Sequence, residues 1–353
     1  MKNSVLVAMS GGIDSCTAAA LMLEEGYNCS GFTLKLFNGS SADGVNSSSQ
    51  DMADAASSAL HLGIPHTVLD FTGEFDRQVI QRFIGIYGNG ATPNPCIFCN
   101  PNIKFNLELL QKHLGYFDCL VTGHYARVEH DAGSGRYLLR KAFDNKKDQS
   151  YVLYGLSQTQ LEKARFPLGS LTKLQVRKIA AEKKLINNEK AESQDICFVL
   201  NGNYGDFIES YTGRTWPPGN IIDTEGRILG RHKGIIRYTI GQRRGLGVAS
   251  GSHFYVAAKS TAENTVTLAP DSCLYSKSLT AGNINLIACV RMEKSMRVKV
   301  KTRYLQNEQP AFAEQTGENE IYIEFDSPQR AVTPGQSAVM YDGDTVIGGG
   351  IIC

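Results

Sequence analysis

An α/β domain on a parallel sheet, followed by a small mixed β-rich domain and a C-terminal β-barrel, is the architecture the sequence predicts. Three observations predict it. Strand-like and helix-like stretches alternate through the first half, short alternating runs take over beyond about residue 201, and from about residue 279 the pattern is almost wholly β. At 353 residues the chain exceeds the size at which one hydrophobic core stops growing, so several domains are expected, with boundaries at 1–200, 201–278 and 279–353.

Residues 5–9 give a first strand, 15–25 a helix, 28–37 a strand, 51–62 a helix and 66–70 a strand. This β-α-β-α-β order implies parallel strands joined by crossover helices. Helices are expected over 74–87 and 104–114, then a buried strand at 119–122 and a helix over 172–184 with Leu174, Ile179 and Leu185 as its apolar positions. Strands at 221–223, 227–229, 254–258 and 265–268 build the middle domain. Those at 297–304, 311–314, 320–325, 337–341 and 345–352 build the last, and a small closed barrel is the simplest way for them to hide their edges. Residues 39–50, rich in Ser, Asn and Gly, read as a surface loop.

The net charge of +1 excludes a globally basic nucleic-acid binder, so any RNA surface is local. Local basic groups occur at Lys146 and Lys147, at 231–233 with Arg237, at Arg243 with Arg244, and over 291–303. The first strand begins too early to leave room for a signal peptide, and no apolar run reaches membrane-spanning length. A cytoplasmic protein without a membrane segment is expected. Nine cysteines, an odd and unevenly spaced set, do not form a secreted disulfide framework. Cys16, Cys119 and Cys289 lie among apolar residues and are expected to act as small hydrophobes.

Ser10-Gly11-Gly12-Ile13-Asp14-Ser15 separates the first strand from the first helix, where open parallel sheets bind ligands. Two glycines let backbone approach phosphate, the hydroxyls of Ser10 and Ser15 can donate to it, and N–H groups at the helix start complement an anion. Asp14 would repel phosphate unless it holds Mg²⁺ or orients the loop. The segment is neither a Walker loop nor a Rossmann fingerprint. It resembles the PP-loop of the ATP pyrophosphatase superfamily, whose members cleave ATP between the α and β phosphates and transfer AMP to a substrate oxygen.

Thr92-Pro93-Asn94-Pro95-Cys96-Ile97-Phe98-Cys99-Asn100 reads as a Pro-braced loop presenting Cys-x-x-Cys ahead of a helix start, which would lower a thiol pKa. Glu192-Ser193-Gln194-Asp195-Ile196-Cys197-Phe198 places one further cysteine among polar groups. The residues leave three readings open. Cys99 and Cys197 are a persulfide carrier and its partner thiol; or Cys96, Cys99 and Cys197 hold an iron–sulfur cluster with an open iron; or all three are inert packing, against which the flanking prolines and polar residues argue.

Together these segments resemble the tRNA-specific 2-thiouridylases of bacteria over essentially the whole length. Further stretches of that kind are Gly123-His124-Tyr125-Ala126-Arg127, Lys147-Asp148-Gln149-Ser150-Tyr151, the run from Tyr238 to Gly247, Val300-Lys301-Thr302-Arg303-Tyr304, and Val332-Thr333-Pro334-Gly335-Gln336. The resemblance implies a PP-loop adenylation domain at the N-terminus, a tRNA-contacting middle domain, and a wobble uridine adenylated at its C2 oxygen before a persulfide replaces AMP with sulfur. It implies an ATP site lined by Ala8, Met9, Ser10, Gly11, Gly12, Ile13, Asp14, Ser15, Leu34 and Gly123, with Mg²⁺ neutralising the departing pyrophosphate. Asn94, Pro95 and Cys96 would face the target base, Cys99 would be the nucleophile and Cys197 the persulfide carrier. Contacts to tRNA would come from His124, Lys147, Asp148, Gln149, Arg303, Tyr304 and Gln336, and the sulfur from a cysteine desulfurase or relay protein.

The chain departs from that pattern at three places: Cys96 stands where some members have Asp, Ala91 where Arg is frequent, and Ser47-Ser48-Ser49 where paired cysteines often occur. Two other functions compete. A PP-loop ligase or amidotransferase acting on a small molecule would leave Cys99, Cys197 and the β-rich tail idle, and a non-catalytic tRNA-binding sulfur-relay adaptor would not need an intact loop.

Overall fold

The computed structural model describes residues 3–38, 47–185, 196–199, 202–248 and 253–353. Five parallel strands form the N-terminal sheet in the spatial order His66–Asp70, Asn28–Lys35, Ser4–Ala8, Cys119–Val121, Ala164–Arg165. Alternation along Ser4–Ala8 sends Val5 and Val7 to one face and Leu6 to the other. Val5 and Val7 pack with Cys16, Ala18, Ala19 and Ala20 of the helix Ile13–Glu24, whose small side chains let it lie close to the sheet. Leu6 joins a larger core with Phe32, Phe75, Phe83 and Leu120.

Several expected elements shift. The helix expected from residue 51 spans Ser47–His61, so Ser47 to Gln50 are helical rather than loop, while 39–46 lie outside the described residues. The expected helix over 74–87 is Thr72–Phe75, a π turn at Asp76–Ile80, and Gln81–Gly88. The expected loop ahead of residue 104 is also helical. Asn94 caps Pro95–Cys99, accepting from Cys96 N–H at 3.1 Å, and a π turn follows at Asn100–Lys104. Pro101 has no N–H to continue an α-helix, and the wider turn accommodates it, with Phe105 N–H donating to Asn100 O at 2.8 Å.

The middle domain is a four-stranded sheet ordered Tyr255–Ser260, Thr265–Ala269, Gly219–Ile222, Ile228–His232. The last domain is a closed barrel. Tyr275–Leu286 pairs with Glu320–Arg330 on one side and Thr345–Ile352 on the other, and Gln309–Gly317, Met296–Lys301 and Ser337–Asp342 complete the ring. Ile321, Ile323 and Phe325 alternate into its interior with Val298, Val300 and Met340.

A hairpin of the N-terminal domain, Arg127–Asp131 with Arg136–Arg140, extends the barrel sheet through Arg140 and Thr345. Asp344 accepts from Arg127 at 2.6 Å and from Arg140 at 2.8 Å. The strand Ser337–Asp342 is buried on both faces, with Met340 inside the barrel and Val339 and Tyr341 in the core shared with the N-terminal domain. Among the described residues no helix is long and apolar enough to cross a membrane.

Candidate active site

The loop between the first strand and first helix is closed on itself by its own hydroxyls. Ser10 N–H donates to Ser15 Oγ at 3.1 Å, and Ser15 Oγ donates to Gly12 O at 3.0 Å. Gly11 has φ +73°, and a Cβ there would stand 2.4 Å from Asp51 O, so only glycine fits. Gly12 caps the helix without a side chain, and a Cβ there would meet nothing nearer than Ser10 Oγ at 3.6 Å. That open side next to a helix start suits the phosphates of ATP. Behind the loop, Thr33 Oγ1 donates to Met9 O at 2.6 Å and contacts His66 Nε2 at 2.8 Å, a ring that burial keeps neutral.

Asp14 is the charged centre of the loop. Lys173 Nζ lies 2.8 Å from each of its carboxylate oxygens, and Tyr125 OH donates to Oδ1 at 2.8 Å. The Lys173 side chain is only 10% exposed, so the pair is poorly screened. Of the two roles open to Asp14, orienting the loop is the one these partners serve. Sequence reasoning missed Lys173 and Tyr125. A signal existed: Lys173 is the first residue of the helix Lys173–Glu182, behind a Thr172–Gln175 capping box, where the helix dipole disfavours a cation.

The three thiols lie within electrostatic reach of a cation that sequence reasoning also missed. Lys104 ends the π turn, and its ammonium acts electrostatically on Cys96, Cys99 and Cys197. Cys99 is buried, a correction to the expectation that it avoids the core; Cys96 and Cys197 are exposed on one side. The expected lowering of thiol pKa is also overturned. Burial pushes Cys99 up to about 12 and Cys197 to about 11, and raises Cys96, against the opposing pull of Lys104. Cys99 is the last residue of its five-residue helix, beyond the first turn to which the N-terminal dipole is confined. Loss of solvation lowers the pKa of Lys104, but the three sulfurs outweigh it and hold the ammonium charged. Among the described residues these thiols do not form a group able to hold a metal, and a cation in their midst does not fit a cluster's donor set. Residues 192–195 of the second cysteine segment lie outside the described residues.

Gly123 and His124 link the two centres. A Cβ on Gly123 would stand 2.8 Å from Asp14 C and Ser15 N, so this glycine lies directly against the loop. His124 Nδ1 contacts Thr122 Oγ1 at 2.7 Å, and burial followed by the Lys104 charge holds its ring neutral.

Several residues assigned to tRNA by resemblance are occupied within the chain. Asp148 is buried and accepts from Ala142 N–H and from Ser150. Gln149 accepts from Tyr125 N–H at 2.9 Å. Arg303 and Gln336 bond main-chain carbonyls of other segments. Lys147 and Tyr304 are half-buried.

Domain profiles match the chain over three stretches: a tRNA methyl transferase HUP domain over residues 3–201, a tRNA methyl transferase PRC-barrel domain over 205–270, and an aminomethyltransferase beta-barrel domain over 276–352. The chain is 46% identical over 357 residues to the tRNA-specific 2-thiouridylase MnmA of Acetivibrio thermocellus, with 99% of each chain covered. It is 43% identical to that of Clostridioides difficile, covering 100% of this chain and 98% of the relative. To MnmA 2 of Caldanaerobacter subterraneus it is 45% identical, covering 99% and 98%.

Proposed function

The chain belongs to the tRNA-specific 2-thiouridylase family, and from that premise we propose how its residues exchange oxygen for sulfur at a wobble uridine. ATP adenylates the C2 oxygen, and a persulfide on Cys197 then displaces AMP. The observation that best supports this reading is the Gly123–His124 pair: Gly123 lies against the nucleotide loop, and the next residue, His124, is buried within electrostatic reach of Lys104, the cation that also acts on the three cysteines. A uracil C2 oxygen is a poor leaving group until it is adenylated, so a sulfur-inserting enzyme needs its ATP loop and its thiols at one reaction centre.

In this reading residues 8–15, Leu34 and Gly123 hold ATP, and Asn94, Pro95 and Cys96 face the base. Mg²⁺ would arrive with the nucleotide and, when bound, would supply charge neutralisation for the departing pyrophosphate beside the hydroxyls of Ser10 and Ser15. Asp14, already paired with Lys173, braces the loop. The target base lies in an anticodon loop, where it swings out of the stack at low cost. A persulfide-bearing protein of the cytoplasm, a desulfurase or a relay protein, loads Cys197. The chain divides near residues 201 and 279 into adenylation, tRNA-contacting and barrel units.

The test is mass spectrometry of tRNA nucleosides after incubation with ATP, Mg²⁺ and a persulfide source. The expected product carries sulfur in place of a uridine oxygen. An unchanged nucleoside in the presence of all three would overturn the proposal.

Electrostatic contact with tRNA is local, and the exposed pair Arg243 and Arg244 is its clearest element. Replacing both with Ala is expected to weaken tRNA binding and to reduce the slope of log K against log salt by roughly 1 to 2. An unchanged slope in a filter-binding titration would remove this loop from the interface.

A further inference from the structure

The loop that leads to Asn94, Pro95 and Cys96 is gripped from outside its own domain. Thr92 N–H donates to Pro334 O at 2.9 Å, and Gln336 Nε2 donates to Thr92 O at 3.0 Å. Both main-chain groups of one residue are thus held by the barrel segment 334–336. Gly335 stands between them at φ +89°, where a Cβ would lie 2.9 Å from Thr92 N and 3.0 Å from Thr92 O. Any larger residue would push the two backbones apart.

The grip is anchored on both sides. Gly335 N–H donates to Ile352 O at 2.9 Å and Ile352 N–H to Gln336 O at 2.8 Å, which fixes the segment to the strand that closes the barrel. Thr92 Oγ1 reaches Thr239 Oγ1 of the middle domain at 3.5 Å, and Arg303 Nη2 bridges Ile240 O at 3.2 Å to Ala331 O at 2.6 Å and Thr333 Oγ1 at 2.8 Å. All three domains therefore meet at Thr92. Between it and Cys96 the chain has little freedom to absorb a shift. Pro93 and Pro95 fix their own φ and restrict the residues before them, and Asn94 is tied to Cys96 N–H as a helix cap.

We infer that Gln336 and Gly335 form an inter-domain latch on Thr92, and that Gln336 is a positioning residue which sets the base-facing loop. The latch couples the seating of the barrel to the placement of Asn94, Cys96 and, one turn on, Cys99. The inference rests on the proposed function only in taking that loop to face the base.

The test uses full-length Gln336→Glu and Gln336→Met, which keep the length of the side chain and lose the donor, with Gly335→Ala as a second route to the same shift. Expected is a fall in rate at saturating tRNA on the order of tenfold to a hundredfold, the cost of a small misplacement at a reaction centre, with tRNA Kd within about twofold of the parent. Alkylation of Cys96 without tRNA, followed by mass spectrometry, is expected to quicken severalfold, while that of the remote exposed Cys273 stays constant. This second readout does not require thiolation, so it judges the latch even if the proposed function fails. A weakened Kd with the saturated rate and Cys96 alkylation unchanged would overturn the latch and make Gln336 a direct tRNA contact. Rates and alkylation matching the parent in all three variants would also overturn it.

Discussion

Asp14→Asn is expected to reduce formation of AMP and pyrophosphate by about 10²–10³-fold or more, the scale on which removing one preorganised electrostatic group acts. Asp14 stands in the first turn of its helix, where a carboxylate complements the free N–H groups, and it receives Lys173 at both oxygens and Tyr125 at one. The amide keeps the shape and loses the charge, which takes the Asp14 counter-charge from a nearly buried ammonium beside the loop. Breaking one half of a fully buried pair costs roughly 3–5 kcal/mol, and with the Asp14 side chain 30% exposed the cost here is smaller, enough to let the loop shift or loosen. Lys173→Met is expected to fail in the opposite way, because an uncompensated Asp14 carboxylate would stand next to arriving phosphates and weaken ATP binding. The double variant should regain thermal stability, since no charge is then left alone, but not activity. Equilibrium melting and an assay of AMP release with saturating tRNA separate these cases. If ADP and phosphate are the products, or if Asp14→Asn stays within about tenfold of the parent, the loop does not perform adenylation as assigned.

The Asp14–Lys173 pair also marks where reading a sequence stops. The glycine loop was legible because everything that defines it is local: a strand, two glycines, two hydroxyls, a helix start. Its partner lies 159 residues away and belongs to a helix whose own pattern gives it no reason to point there. The hairpin Arg127–Asp131 with Arg136–Arg140 escaped for the same reason. Its sheet neighbour, Thr345–Ile352, is more than two hundred residues distant, and neither segment carries a mark of the other. At Cys99 a local rule misled. Prolines and polar neighbours suggested an exposed loop, yet Pro95 was equally a helix-start signal, and the helix it begins turns Cys99 into the core while leaving Cys96 outside. The barrel and the parallel sheet were legible as classes because alternation and β-α-β order repeat many times over. The contacts that join them, Tyr151 OH donating to Ser337 O at 2.9 Å and Gln336 to Thr92, are single events.

Cys99→Ser and Cys197→Ser are each expected to abolish thiolation while adenylation of the base, read as pyrophosphate release, persists, and they should fail at different steps. In the proposed route the persulfide's terminal sulfur on Cys197 attacks the adenylated carbon, AMP leaves, and the base is then joined to Cys197 through a disulfide. On the same route a Cys99 thiolate would attack the Cys197 sulfur, release the 2-thiouridine and leave a Cys99–Cys197 disulfide, which an external dithiol reduces for the next cycle. Cys197→Ser therefore never carries sulfur, whereas Cys99→Ser should stall as a protein–tRNA adduct that survives a non-reducing gel and disappears with reductant. Burial pushes the Cys99 thiol up to about 12, so little thiolate exists at neutral pH and resolution should quicken about tenfold per pH unit below that value. Lys104 opposes this rise, so Lys104→Met should slow resolution further without affecting AMP release. The proposed route gives Cys96 no part in these steps. Cys96→Ala prepared in air and free of iron should retain substantial thiolation. Activity confined to anaerobic, iron-loaded protein and lost with Cys96 would replace the persulfide route with a cluster-bound sulfur, and a Cys99→Ser enzyme that accumulates no adduct would remove Cys99 as the resolving thiol.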